Sequence, residues 1–179
     1  MIVNNPPQET YMMTANYYNF RHNSSVWTLC NNGSLYSLGG TDTTVGDTEA
    51  QGTTRLCFQT IMAIIPFNIR VTDVSCGVSD DDMDAGSNTT DKRIGVWRKA
   101  AYSASGLDPS NVGGINQSFE LMWITNAFDG QTAKWLSCYD NTTPFNLDAG
   151  DIVFMGYLNP DGNSNDDVTL TMNLWGRKI

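Results

Sequence analysis

The chain has 179 residues, 40% of them hydrophobic, and a formal net charge of −9. That length suits one domain that buries roughly 70% of its unfolded surface. The acidity argues against a nucleic-acid binder, whose phosphate contacts need clustered Lys and Arg. No run of about 18 apolar residues occurs, so no membrane-spanning helix is expected. The N-terminus lacks a basic region followed by an apolar run, so no signal peptide is expected and synthesis in a cytoplasm is the default.

In chain order, residues 1–22 are polar and irregular, with Pro6-Pro7 and the aromatics Tyr11, Tyr17, Tyr18 and Phe20. They read as an extended N-terminal arm. Such an arm either frays or drapes over a neighbour with its tyrosines as anchors. Residues 23–179 then form a single β domain. Ser25 to Cys30 and Ser34 to Leu38 flank Asn31-Asn32-Gly33, a hairpin signal because Asn-Gly readily takes positive φ. Gly39 to Gly52, rich in Thr, Asp and Gly, reads as an exposed loop.

For Arg55 to Ile65 helix and strand are both arguable, and Thr53-Thr54, Cys57, Phe58, Thr60 and the isoleucines favour a strand, ended by Pro66. Ile69 and Val71 alternate, then the apolar set resumes in the other phase as Val74, Cys76 and Val78. That phase change predicts a bulge near Thr72-Asp73. Asp80 to Asp91 is an acidic loop, Lys92 to Lys99 an alternating strand, and residues 101–116 an insertion rich in Gly, Ser and Asn. Ser118 to Thr125 and Lys134 to Tyr139 are two more aromatic strands.

Ile152 to Leu158 is apolar on both faces: Ile152, Phe154 and Leu158 on one, Val153, Met155 and Tyr157 on the other. A strand of that kind is covered twice. One cover is the core; the other is a long loop or a neighbouring subunit, the latter being the first to test. Val153, Met155 and Tyr157 are therefore candidate interface residues. In Val168 to Trp175 the alternation is strict, with Val168, Leu170, Met172 and Leu174 on the core side. Eight or nine strands between turn-rich loops, with no long helix, predict an all-β fold: an antiparallel two-sheet jelly-roll sandwich.

Chemistry-bearing motifs are scarce. His22 is the only histidine, and no Gly-x-Ser-x-Gly elbow accompanies it. No phosphate-cradling glycine loop occurs. The chain therefore reads as non-enzymatic, with no cofactor and no metal. Two acidic stretches, Asp80 to Asp84 and Asp161 to Asp167, carry oxygen ligands at alternate positions. The second departs from a Ca²⁺ loop, with Asp166 at position six and Met172 at position twelve, and both read as solvated turns. Cys30, Cys57, Cys76 and Cys138 lie in apolar runs without a Cys-x-x-Cys pair, so buried reduced thiols are expected rather than disulfides or zinc ligands.

The bases gather as Lys92-Arg93, Arg98-Lys99 and Arg177-Lys178. They are solvated strand ends or partners of an acidic neighbour. Trp97 and Trp175 fall on the polar side of their strands. Each is a sugar platform, an interface anchor, or packed under a loop.

Four segments together carry a family likeness: Ile65-Pro66-Phe67-Asn68-Ile69-Arg70-Val71-Thr72-Asp73-Val74-Ser75, Arg93-Ile94-Gly95-Val96-Trp97, Leu147-Asp148-Ala149-Gly150-Asp151-Ile152-Val153-Phe154 and Val168-Thr169-Leu170-Thr171-Met172. Residues 54–179 resemble the jelly-roll virion proteins of tailed bacteriophages, which occur as capsid decoration (cement) proteins and in tail fibres. The resemblance implies a non-enzymatic structural protein, commonly a homotrimer, on the outer surface of the virion. Its partner would be the major capsid protein or another virion protein, with no nucleic acid and no membrane. The alternative it allows is a tail-fibre module that binds host glycan through Trp97 or Trp175. An enzyme acting on surface glycan is a third reading, motivated by carboxylate pairs alone.

Overall fold

A computed structural model describes residues 10–20, 26–30, 38, 40–50, 61–80, 92–99, 118–128, 135–159 and 168–179. These contain eleven strands and no helix: β1 (Thr10–Phe20), β2 (Trp27–Leu29), β3 (Thr48–Ala50), β4 (Ile61–Ile64), β5 (Ile69–Asp80), β6 (Arg93–Lys99), β7 (Ser118–Ile124), β8 (Trp135–Asp140), β9 (Phe145–Leu147), β10 (Ile152–Leu158) and β11 (Val168–Lys178). The strands beyond the expected eight or nine are β1, read as an arm, β3, which falls in the stretch Gly39 to Gly52 read as an exposed loop, and the short β9. β8 and β9 lie along successive stretches of β5, and β2 and β4 along successive stretches of β10.

The first sheet runs β1-β11-β5, then β8 with β9; the second runs β2 with β4, then β10-β6-β7-β3. Every pairing is antiparallel, and the first described strand lies beside the last. These two antiparallel layers, of five and six strands, make the jelly-roll sandwich expected from the sequence.

The expected N-terminal arm is corrected. Residues 10–20 form the edge strand β1, hydrogen-bonded to β11 from Thr10↔Arg177 through Phe20↔Val168. Met13, Ala15 and Tyr17 are buried, because period-two alternation turns them onto the core. The Asn31-Asn32-Gly33 turn lies outside the described residues, but its flanks meet: Leu38 N donates to Trp27 O at 2.8 Å, and Trp27 N to Gly40 O at 3.1 Å.

Two apolar layers result. The layer between the sheets holds Val71, Val74, Cys76, Val78, Leu170, Met172 and Leu174 from the first sheet. Ile94, Val96, Trp123, Val153, Met155 and Tyr157 face them from the second. On the far side of the second sheet lies a smaller layer of Trp27, Leu29, Leu38, Trp97, Phe119, Leu121, Phe154 and Leu158. The two faces expected of β10 are thus both present. The second face is buried within this chain, with Trp27 and Leu38 packed on it, rather than by a neighbouring subunit.

That outer layer depends on two glycines. Gly95 and Gly156 are direct partners in the β6–β10 ladder. A Cβ on Gly156 would lie 2.7 Å from the Trp97 indole, and one on Gly95 would lie 2.9 Å from Trp27. The bare backbone is the slot that lets both indoles lie against the sheet, edge to face, with centroids 5.2 Å apart. Trp27 Nε1 donates to Asp42 O at 2.8 Å, whereas buried Trp97 Nε1 has no partner among the described residues.

The Asp148-Ala149-Gly150-Asp151 stretch that enters β10 is a turn. Gly150 has φ 90°, which an L side chain rarely adopts, and Asp151 N donates to Asp148 O at 3.0 Å. The Asp151 carboxylate is buried; it accepts from Asp148 N at 2.9 Å and from Arg98 at 3.2 Å. Arg98 also holds Glu120 at 2.8 Å. This base is therefore matched inside the chain, while Lys92 is buried and not at a solvated end.

At the far end of β8, Asp140 gathers four donors: Trp123 Nε1 at 2.7 Å, Thr142 N at 2.7 Å, Thr142 Oγ1 at 2.8 Å, and Thr143 Oγ1. Burial pushes this carboxyl up, but the hydrogen bonds from Thr143, Trp123 and Thr142 outweigh it and hold it well below the usual range. A depressed folded pKa gives stability that is present above the unfolded value, near pH 4, and is lost as pH falls below it. Asp140→Asn is expected to melt below the native chain at neutral pH, with the gap closing as pH drops under about 4. A gap that stays constant over that range would contradict this role for the carboxylate.

Candidate functional site

The surface most suited to binding is the outer face of the first sheet. Its residues line up in rows because antiparallel register places them directly opposite one another. One row reads Thr14, Asn173, Ser75 and Tyr139 across β1, β11, β5 and β8. Thr14 Oγ1 donates to Asn173 Oδ1 at 2.9 Å, and Asn173 Nδ2 to Ser75 Oγ at 3.3 Å. In the row towards the Phe20 end of β1, Thr171 Oγ1 donates to Asn16 Oδ1 at 2.7 Å. Towards the other end the row changes character: Met12, Trp175 and Asp73 stand abreast.

The expected bulge makes that row. Trp175 pairs with Asp73 and the next residue, Gly176, with Val71, so Thr72 is the extra residue. The insertion returns Val74, Cys76 and Val78 to the core side and turns Asp73 outward beside Trp175. Asp73 accepts from Thr72 Oγ1 at 2.7 Å and from Tyr139 OH at 2.6 Å. Those two bonds, Thr72 first, hold its carboxyl below the usual range, and the same contact with Asp73 raises the Tyr139 hydroxyl.

Thr10, Thr72, Asp73, Tyr139, Trp175, Gly176 and Arg177 line an open depression of about 320 Å³. Met12 at 58% and Tyr139 at 62% exposure present apolar and aromatic surface beside it. The arrangement offers an aromatic floor, a carboxylate acceptor and a guanidinium donor. Such a combination suits recognition of a polar partner with an apolar face.

The residues singled out in the sequence scatter. Trp175 lies in this site, half-buried. Trp97 is fully buried under Trp27, so the platform and anchor roles do not apply and packing beneath the chain's own cover does. Val153, Met155 and Tyr157 are also fully buried, in the layer between the sheets, and present no surface to a subunit. Tyr17 is 5% exposed in the same core. Tyr11 is half-buried and stacks edge-on against Phe67, with centroids 5.6 Å apart. The side chains of Tyr18 and Phe20, His22 and both acidic loops beyond Asp80 lie outside the described residues.

Arg177, one of the bases noted in the sequence, also lines it, and Met12, Asp73 and Tyr139 are the additions. Only the bulge signal at Thr72-Asp73 hinted at them, since rows across non-sequential strands are set by topology. Among the described residues no group of three His, Cys, Asp or Glu side chains could hold a metal ion.

No protein-family model matches the chain, and no curated protein sequence matches it. Among solved structures, a turnip yellow mosaic virus chain is similar with a TM-score of 0.28 and 8% identity, over 99% of this chain and 85% of that one. A chain from deformed wing virus, a honeybee pathogen, gives a TM-score of 0.27 and 12% identity, over 100% of this chain and 47% of that one. Scores this low carry no argument about partners or activity.

Proposed function

We propose that this chain is a structural, non-enzymatic virion protein of a tailed bacteriophage. It decorates the outer capsid surface as a homotrimer and ties capsid subunits together. The observation that carries the reading is the outer face of the first sheet, a ladder of Thr, Asn and Ser that ends in exposed Met12 and half-buried Trp175, with exposed Tyr139 nearby. Such a face gives a partner a large regular surface with one aromatic anchor, as protein contacts use. Many weak copies acting on one shell reach high avidity. The net charge of −9 favours a position away from packaged DNA. The motif resemblance over residues 54–179 supplies the tailed-phage setting.

The test is binding of the purified chain to phage shells that lack it. Saturable co-sedimentation is expected, and Trp175→Ser, with an unchanged circular dichroism spectrum, should weaken it at least about tenfold. Absence of co-sedimentation would count against decoration.

A second reading is favoured by the depression itself. Trp175 and Tyr139 beside Asp73 and Arg177 combine an aromatic face with hydrogen-bonding groups, the combination a sugar ring requires. Saturable binding on a glycan array, lost in Trp175→Ser, would select this receptor-binding role instead.

A further inference from the structure

We propose that Cys76 and Cys138 form a modification site, a thiol pair that closes to an intrachain disulfide on meeting a small-molecule disulfide such as oxidised glutathione. The two residues are direct partners in the β5–β8 ladder. Directly opposed residues of an antiparallel pair have Cα atoms about 4.5–5.5 Å apart. That lies within the span of about 4.4–6.8 Å that a disulfide bridges. Opposed side chains also leave the sheet on the same face, and both thiols pack against the core between the sheets.

Access differs between them. Cys76 is 4% exposed, whereas Cys138 is half-buried on a strand that, among the described residues, pairs with β5 alone. The proximity of the two thiols holds Cys138 below the ordinary thiol range and raises Cys76. Cys138 is thus the thiolate that meets the reagent, and Cys76 stands behind it to resolve. Cys30 is fully buried, and burial pushes its thiol well up.

The exchange balances in two steps. The Cys138 thiolate attacks one sulfur of oxidised glutathione and breaks its S–S bond. One glutathione leaves as thiolate and takes a proton from solvent; the other stays on Cys138 as a mixed disulfide. Cys76 loses its proton to solvent and attacks Cys138 Sγ, and the second glutathione leaves. Two protein thiols are oxidised, and one glutathione disulfide is reduced to two thiols. The product ties the strand β8 covalently to the interior strand β5 wherever the surroundings are oxidising.

The test incubates the native chain with oxidised glutathione, alkylates it, digests it without reductant and maps the peptides by mass spectrometry. The expected result is a linked peptide joining Cys76 to Cys138, with free thiols falling from four to two per chain. Cys76→Ser should stop at a glutathione adduct on Cys138, and Cys138→Ser should keep its remaining thiols free. The proposal is overturned if Cys76 and Cys138 of the native chain stay alkylatable, if native Cys138 retains a lasting adduct, or if the bond forms to Cys30, Cys57 or another chain.

Discussion

Leu170→Asp is expected to yield no soluble folded protein. Leu170 is fully buried at the centre of the first sheet, with Tyr17 opposite on one side and Val78 on the other. Met172, Val168, Cys76 and Tyr157 share its apolar layer. The substitution removes a side chain whose burial contributes about 1.5–3 kcal/mol. It also places a carboxyl inside this buried layer, a burial that costs a further several kcal/mol even when the group stays protonated. A loss above about 5 kcal/mol rivals the whole stability of an ordinary domain, about 5–15 kcal/mol. Circular dichroism of the purified variant checks it. A β spectrum with a cooperative melt near that of the native chain would mean that the inward row of β11 is misassigned.

Gly156→Val is expected to unfold far more easily while staying soluble. The branched side chain must enter the space taken by the Trp97 indole, 2.7 Å from where its Cβ would stand, with Trp27 3.1 Å away. Neither indole has room to retreat. Trp97 and Trp27 are fully buried and meet edge to face, and Phe119 and Phe154 do the same beside them, with centroids 5.3 Å apart. Overpacking of this kind costs about 1–3 kcal/mol, and two rigid rings put the cost at the upper end. The melting temperature should fall by roughly 6–12 °C. A urea midpoint equal to that of the native chain would mean that the outer layer is loose enough to absorb an isopropyl group.

The burial of these two positions shows what periodicity conveys. The inward set Val168, Leu170, Met172 and Leu174 was legible because strict alternation leaves one reading. The bulge at Thr72 was legible for the same reason, as a break in phase. Two-sided burial of Ile152 to Leu158 was also legible, but the identity of the second cover was not. Periodicity reports that a face is buried and is silent on what buries it. Here the cover comes from Trp27 and Leu38, more than a hundred residues away along the chain.

The error over residues 10–20 has a different cause. Tyr11, Met13, Ala15 and Tyr17 do alternate, but exposed Met12 and the polar Thr14 and Asn16 make the stretch resemble an arm. An edge strand with one polar face carries a weak signal by itself, and its partner β11 lies at the opposite end of the chain. The outer-face site was hidden for the same reason. Met12, Asp73, Tyr139 and Trp175 come from four strands whose adjacency follows only from the jelly-roll order. Trp97 was placed on a polar face because Arg93, Gly95 and Lys99 flank it in the alternation. The Gly95–Gly156 slot, visible only in register, is what turned that face into an apolar layer.

We propose that this chain belongs to a virion shell and meets it through the outer face of its first sheet. Cryo-electron microscopy of the intact phage particle tests that most directly. The predicted result is threefold jelly-roll density on the outside of the capsid, with Met12, Trp175 and Tyr139 against the major capsid protein. Density for the chain at the tail, or on the capsid with that face turned to solvent, would contradict it.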